Sequence, residues 1–285
     1  MSDWQPVKAG LVQLNVSDDP AANLPVTRAL IREAAAAGAG FVLTPEATNL
    51  LGANRATQAR VLRTEAEDPT LAALRADAAE LGIWLLIGSL SLKSEAEDEA
   101  RHVNRSFLIS PKGEIVARYD KLHMFDVVIS ETESYRESAA FRPGERAVLA
   151  EGPAPLGMTI CYDVRFPALY RALAQAGAEV LTVPAAFNDT TGAAHWEVLL
   201  RARAIENGSY VLAPAQCGTH PRRLSKGGRP RRSHGHSLAV DPWGKVLVDA
   251  GEEPGIAIVE LDPRAVLEAR SRIPSLTHDR DFLGP

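Results

Sequence analysis

Short apolar runs alternate with longer amphipathic ones along this chain. Residues 7–15, 41–44, 83–90, 104–110, 114–119 and 156–161 have the length and composition of buried strands, as do 180–183, 210–213, 235–240, 246–248 and 256–260. Between them, residues 21–37, 69–81, 168–175 and 195–206 read as helices, and Pro263 opens a last one. Gly38 and Gly82 stop the first two helices. Pro111-Lys112-Gly113 is a turn signal that predicts a hairpin between 104–110 and 114–119. Strand and helix patterns in alternation predict an α/β layered fold, and the lack of a low-complexity linker predicts one domain over 1–285. A faint internal echo is present. Ala37-Gly38-Ala39 and Ala176-Gly177-Ala178 are 139 residues apart, and so are Pro45 and Pro184, and Asn49 and Asn188. Two similar halves with both proline-marked strand ends at one site would explain it, and so would chance in an alanine-rich chain.

The strand at 156–161 runs into Cys161-Tyr162-Asp163-Val164-Arg165-Phe166-Pro167, an arrangement that presents a sulfur at a strand end. A free thiol titrates near ~8.5 and needs a base or a positive neighbour to act as a nucleophile. Candidates follow two other strands: Glu46 in Thr44-Pro45-Glu46, and Lys121 in Tyr119-Asp120-Lys121-Leu122-His123. Taken singly, each has a plainer use: a buried structural cysteine, a solvated loop acid, a surface charge. Cys217, the other cysteine, follows a strand with no such partners and reads as structural.

Together, Pro45-Glu46, Asp120-Lys121-Leu122-His123-Met124-Phe125-Asp126 and Ile160-Cys161-Tyr162-Asp163-Val164-Arg165-Phe166-Pro167 resemble the three signature blocks of the nitrilase (carbon–nitrogen hydrolase) superfamily, in the family's order. The likeness extends to Ala194-His195-Trp196-Glu197 and Gly235-His236-Ser237. It implies a four-layer αββα sandwich, no cofactor and no metal. Glu46, Lys121 and Cys161 are then the catalytic residues. Glu46 is the base, Lys121 stabilises the oxyanion, and the backbone N–H of Tyr162 is a second oxyanion donor. Glu137, in Tyr135-Arg136-Glu137-Ser138, holds Lys121, and the segment from Asp120 to Pro143 covers the mouth of the site. Phe187 and Asn188 line the substrate pocket. Arg165 has two uses open to it: a bidentate clamp on a substrate carboxylate, or an ion pair with Asp163 or another acid. His195 and Trp196 look like helix packing.

Cys161-Tyr162-Asp163 is unlike the Cys-Trp-Glu of true nitrilases and resembles the Nit branch of amidases, in particular the Nit1-type enzymes that act on deaminated glutathione. The implied reaction is hydrolysis of a non-peptide carbon–nitrogen (terminal amide) bond of a small carboxylated substrate through a cysteine thioester. Alternatives are an ω-amidase acting on 2-oxoglutaramate, another amidase or carbamoyl hydrolase, or a scaffold protein retaining the fold. The resemblance also implies a homo-oligomer, a dimer or a multiple of dimers. Residues 275–285, polar and without helical period, could pack on the partner or fray.

Composition narrows the partners. The chain has 285 residues, is 46% hydrophobic and carries a net charge of −5 with a pI near 5.8, which argues against nucleic acid as the main ligand. The basic run Arg222, Arg223, Lys226, Arg229, Arg231 and Arg232 then reads as a solvated loop, or as one that steers an acidic substrate without contacting it. Two cysteines make no disulfide framework, and Met1-Ser2-Asp3-Trp4-Gln5 lacks the features of a signal peptide, so a cytoplasmic location is expected. No apolar run approaches the roughly 20 residues that span a bilayer.

Overall fold

The computed structural model describes residues 4–96, 99–131, 133–226 and 230–284. In chain order the first part comprises β1 (Val7–Gln13), α1 (Pro20–Ala36), β2 (Phe41–Leu43), α2 (Arg55–Val61), α3 (Pro69–Leu81), β3 (Trp84–Lys93), β4 (His102–Ile109) and β5 (Ile115–Asp120). A hairpin follows, β6 (Asp126–Ser130) and β7 (Glu133–Arg136), then β8 (Val148–Glu151), β9 (Pro155–Met158), α4 (Pro167–Gln175), β10 (Val180–Thr182), α5 (Asp189–Asn207) and β11 (Tyr210–Ala213). The chain continues with β12 (Cys217–Thr219), β13 (Arg232–His234), β14 (Leu238–Val240), β15 (Val246–Asp249), β16 (Gly255–Leu261) and α6 (Pro263–Arg272).

Two six-stranded sheets result, in the orders β16-β1-β2-β3-β4-β5 and β15-β14-β11-β10-β9-β8. Side chains alternate across a strand, so each sheet offers two faces. Ala9, Leu11, Phe41, Leu43, Leu86 and Leu108 share one core with Leu156 and Met158 of the opposite sheet. The alternate residues Val12, Val42, Leu85, Ile87, Phe107 and Ile109 pack with Ile31 and Ala34 of α1 and Leu71, Leu74 and Ala78 of α3. On the far side, Leu169 and Leu173 of α4 and Trp196 and Leu200 of α5 join the second sheet. The layers are therefore helices, sheet, sheet, helices, the αββα sandwich expected.

The halves also echo each other in space. β2 lies between β1 and β3, and β10 between β9 and β11, with all four pairings parallel. Their proline-marked ends meet beside Gly88: a Cβ there would lie 2.0 Å from the Thr44 carbonyl oxygen and 2.5 Å from Pro184 Cβ. Only glycine allows this approach, and it brings the two strand ends to one place.

Several boundaries differ from expectation. The strand before the cysteine stops at Met158, and Cys161 opens a short 3₁₀ turn. The helix expected at 195–206 begins at Asp189, because the Asn188 side chain accepts a hydrogen bond from the Thr191 N–H and caps it. Of residues 235–240, only 238–240 form a strand, since Gly235 and His236 have φ of +79° and +55°. The tail is held by its own chain at its start: Arg171 donates to the Ser275 carbonyl at 2.8 Å and pairs with Asp279, while Phe282 and Leu283 are exposed. Among the described residues no helix is long and apolar enough to cross a membrane.

Candidate active site

Cys161 sits where β9 gives way to a turn, with φ of +49°, a left-handed conformation that a residue with a Cβ adopts only when the surroundings enforce it. Its N–H donates to the Pro184 carbonyl at 2.9 Å, tying the turn to the end of β10. Asp163, fully buried, fixes the turn from below. It accepts the Ile160 N–H at 2.8 Å, the Tyr119 hydroxyl at 2.6 Å and the His123 N–H at 3.0 Å, and its Oδ1 is 2.7 Å from His123 Nδ1. The cysteine block is thus stapled to the segment that carries Lys121.

Lys121 directly follows β5, and its backbone is held at both ends. Its N–H donates to the Asn104 carbonyl at 3.0 Å, and its carbonyl accepts the Gly144 N–H at 2.7 Å. The ammonium is buried and shared between two carboxylates: Nζ is 2.9 Å from Glu46 Oε1 and 3.0 and 2.9 Å from the two oxygens of Glu137. Glu46 is buried as well. Asn104 Nδ2 donates to its Oε1 at 2.9 Å, and the Ala186 N–H donates to its Oε2 at 2.8 Å. Glu137 takes a further bond from the Phe125 N–H at 2.7 Å.

The charges follow from this arrangement. Burial works against the Glu46 carboxylate, but the Lys121 ammonium and its hydrogen bond outweigh it and lower its pKa to about 2. Burial works against the Lys121 ammonium too, and Glu137 and Glu46 overcome it, so its pKa is raised. Burial, and then the Glu46 charge, push the Cys161 thiol well above its ordinary value. At neutral pH the resting site holds an ionised Glu46, a protonated Lys121 and a neutral thiol.

These groups open onto a cavity of about 620 Å³ whose lining includes Glu46, Lys121, Glu137, Cys161, Tyr162, Phe187 and Asn188. The structure therefore brings together all but one of the residues singled out in the sequence. Phe187 is braced by Trp196, with ring centroids 4.8 Å apart, and the Trp196 indole donates to the His236 carbonyl at 2.8 Å. The β6–β7 hairpin forms one wall through Phe125, Glu133, Tyr135 and Glu137, where the sequence suggested only a covering loop.

Arg165 is the exception. Cys161 and Arg165 stand at the two ends of the same short 3₁₀ turn. The Arg165 guanidinium lies over the Phe187 and Tyr162 rings, 5.3 and 5.9 Å from their centroids, and both its terminal nitrogens are 3.3 Å from His195 Nδ1. It is not among the cavity-lining residues and does not pair with Asp163. His195, expected to serve helix packing, is exposed on α5 and is its partner. The basic run departs from expectation in the other direction. Arg222, Arg231 and Arg232 line the cavity, whereas Arg229 lies outside the described residues. Asn104 and the Ala186 N–H are site residues the sequence did not reveal, and Arg231 stood out there only as one of the basic run.

A family model for carbon–nitrogen hydrolases matches residues 8–271. The chain belongs to the carbon–nitrogen hydrolase family. It is 40% identical over 279 residues to a protein of Synechocystis sp. named deaminated glutathione amidase, with 96% of this chain and 98% of that one aligned. The human protein of the same name is 37% identical over 274 residues, covering 95% of this chain and 81% of its own. Among solved structures, the C. elegans NitFhit protein superposes with a TM-score of 0.88 at 34% identity over 98% of this chain, which spans 66% of the NitFhit chain. An amidase variant from Nesterenkonia, with the acetamide moiety of fluoroacetamide covalently added at its active-site cysteine, gives 0.75 at 30% identity over 92% of each chain. This carbon–nitrogen hydrolase is an enzyme acting on carbon–nitrogen bonds other than peptide bonds.

Proposed function

We propose that this hydrolase is an amidase of the deaminated glutathione type, working through a thioester on Cys161. The observation that carries the reading is the Lys121 ammonium, clamped by Glu46 and Glu137 in the same cavity as a neutral, buried cysteine. As the Cys161 sulfur attacks the amide carbon, the thiol proton passes to Glu46. Charge growing on the carbonyl oxygen is met by Lys121 Nζ and the Tyr162 N–H. That oxyanion competes with Glu46 for Lys121, which loosens the hold that keeps Glu46 a weak base and lets it accept the proton as the bond forms. Glu46 then protonates the departing amine, and the C–N bond breaks to leave the acyl thioester. A water deprotonated by Glu46 attacks this thioester, releases the acid and returns the proton to sulfur.

Substrate class is supported by the cavity and by the relatives' name. Arg55, Arg136, Arg222, Arg231 and Arg232 line it in a chain whose net charge is −5. Deaminated glutathione, a 2-oxoglutaryl group amide-linked to cysteinylglycine, presents a carboxylate at each end. The test is release of cysteinylglycine from it, compared by kcat/KM with 2-oxoglutaramate and with a neutral aliphatic amide. A preference for 2-oxoglutaramate would reassign the enzyme as an ω-amidase. No release by the wild type, or full activity in Cys161→Ala, would contradict the reading. Subunit pairing belongs to the same proposal. It is supported by Val198 and Ile205, apolar and 67% and 53% exposed on α5, and sedimentation of the purified chain checks it.

A further inference from the structure

We infer that Arg231 is the group that recognises the acyl-side carboxylate of the substrate, a role that the sequence left open as one of two for Arg165. The inference rests on the amidase reading above and names its specificity residue. Arg231 lies just before β13, and its backbone is fixed: its carbonyl accepts the His220 N–H at 2.9 Å. Its side chain is positioned by two contacts. Nη2 donates to the Ala186 carbonyl at 2.8 Å, and the guanidinium carbon stands 5.7 Å from the centroid of the Tyr135 ring. Ala186 is the residue whose N–H holds Glu46 at 2.8 Å, so one residue of backbone links the arginine to the catalytic base.

The Arg231 charge helps to keep Glu46 ionised, but none of the hydrogen bonds to the cavity's carboxylates named here comes from its guanidinium. The cavity's carboxylates are each supplied with donors from elsewhere. Glu46 and Glu137 share Lys121, Glu133 accepts from Tyr135 at 2.7 Å and Asn188 at 2.8 Å, and Asp189 pairs with Arg232 at 3.0 Å. Among the described residues, the hydrogen-bond acceptor of Arg231 is a neutral carbonyl. A guanidinium has five N–H donors in a planar fork that matches a carboxylate. Half-buried against an aromatic face with one donor used, it offers the others to the cavity it lines. The chemistry this selects is an amide whose acyl chain ends in a carboxylate. Because the acyl chain stays attached through the thioester, the contact serves both halves of the reaction.

The experiment is a binding cycle in the Cys161→Ala background, which cannot form a thioester. 2-Oxoglutaramate and its methyl ester are titrated by calorimetry against chains carrying Arg, Gln or Lys at position 231, with the unfolding midpoint of each variant measured alongside. Arg231→Gln is expected to weaken binding of the acid by about 30-fold or more and of the ester by less than about threefold, with Arg231→Lys in between. Equal weakening of acid and ester, or undiminished binding of the acid, overturns the assignment. Turnover by the otherwise native enzyme is followed separately. Binding that depends on Arg231 without turnover would uphold the recognition site and sink the amidase reading.

Discussion

The two cysteines of this chain make an instructive pair. Both are free and buried, and both follow core strands. Burial, with a contribution from Glu253, pushes the Cys217 thiol up to about 11, and burial with Glu46 raises that of Cys161 as well. A depressed pKa therefore does not mark the nucleophile here. The surroundings do. Cys217 sits in the ladder of β12, its N–H donating to the Leu14 carbonyl at 2.8 Å. Cys161 stands on a left-handed turn, opens on the cavity, and shares it with a carboxylate base and a fixed ammonium. The lesson is that this fold stores no thiolate. It stores the base and the counter-charge, and makes the thiolate only as the bond to carbon forms.

The comparison breaks most sharply if the cysteines are exchanged in importance. Cys161→Ala is expected to lower kcat by roughly 10⁴-fold or more with little change in unfolding midpoint. Cys217→Ala should leave kcat within about twofold and lose about 1 kcal/mol of stability, through the small cavity it creates. Steady-state rates and denaturant unfolding of both variants check this.

Lys121→Met tests the stored counter-charge. It strands two carboxylates that share one ammonium, so a stability loss of about 3–5 kcal/mol should accompany a rate loss of at least about 10²-fold. Glu46→Gln should cost a comparable 10²- to 10⁴-fold in kcat but far less stability, because Glu137 still pairs with Lys121.

The same glutamate fixes the pH behaviour. Its folded pKa, about 2, lies below its ordinary value of 4.5, so its charge contributes stability that is fully present above pH 4.5 and fades as pH falls toward 2. Acid unfolding curves of Glu46→Gln should lack that component. The kcat/KM profile of the wild type should be flat between about pH 6 and about pH 9, since neither Glu46, Lys121 nor Cys161 changes charge there. A bell centred near 7 would show that the resting charges are otherwise. Smaller effects are expected at the supports. Asn104→Ala should lower kcat by roughly tenfold by loosening Glu46, and Arg165→Gln should change the KM for the carboxylated amide less than Arg231→Gln does.

Much of this was legible in the chain because it depends on local order. Helix α3 spans 69–81 as read, with the Asp68 side chain accepting the Leu71 N–H at 2.8 Å at one end and Gly82 at φ +65° at the other. Glu46, Lys121 and Cys161 each follow a core strand, and two layered sheets bring those ends together. What escaped reading has no local signal. α2, with the polar sequence Arg-Ala-Thr-Gln-Ala-Arg-Val, shows no apolar period, and β12 and β13 are three residues each. The Ala186 donor is a backbone N–H, which no side chain announces. Asn104 lies near the start of β4, where the pairing of β4 with β5 brings it beside Lys121. The two uses open to Arg165 could not be separated in the sequence, because its contacts with Tyr162, Phe187 and His195 form only once α5 packs against the 3₁₀ turn.

The most direct test of the central claim is intact and peptide mass spectrometry of enzyme quenched during turnover of deaminated glutathione. A 2-oxoglutaryl adduct on the peptide containing Cys161, none on that containing Cys217, and none in Cys161→Ala is the predicted result. Turnover with no acyl group on Cys161, or with the adduct on Cys217, would contradict it.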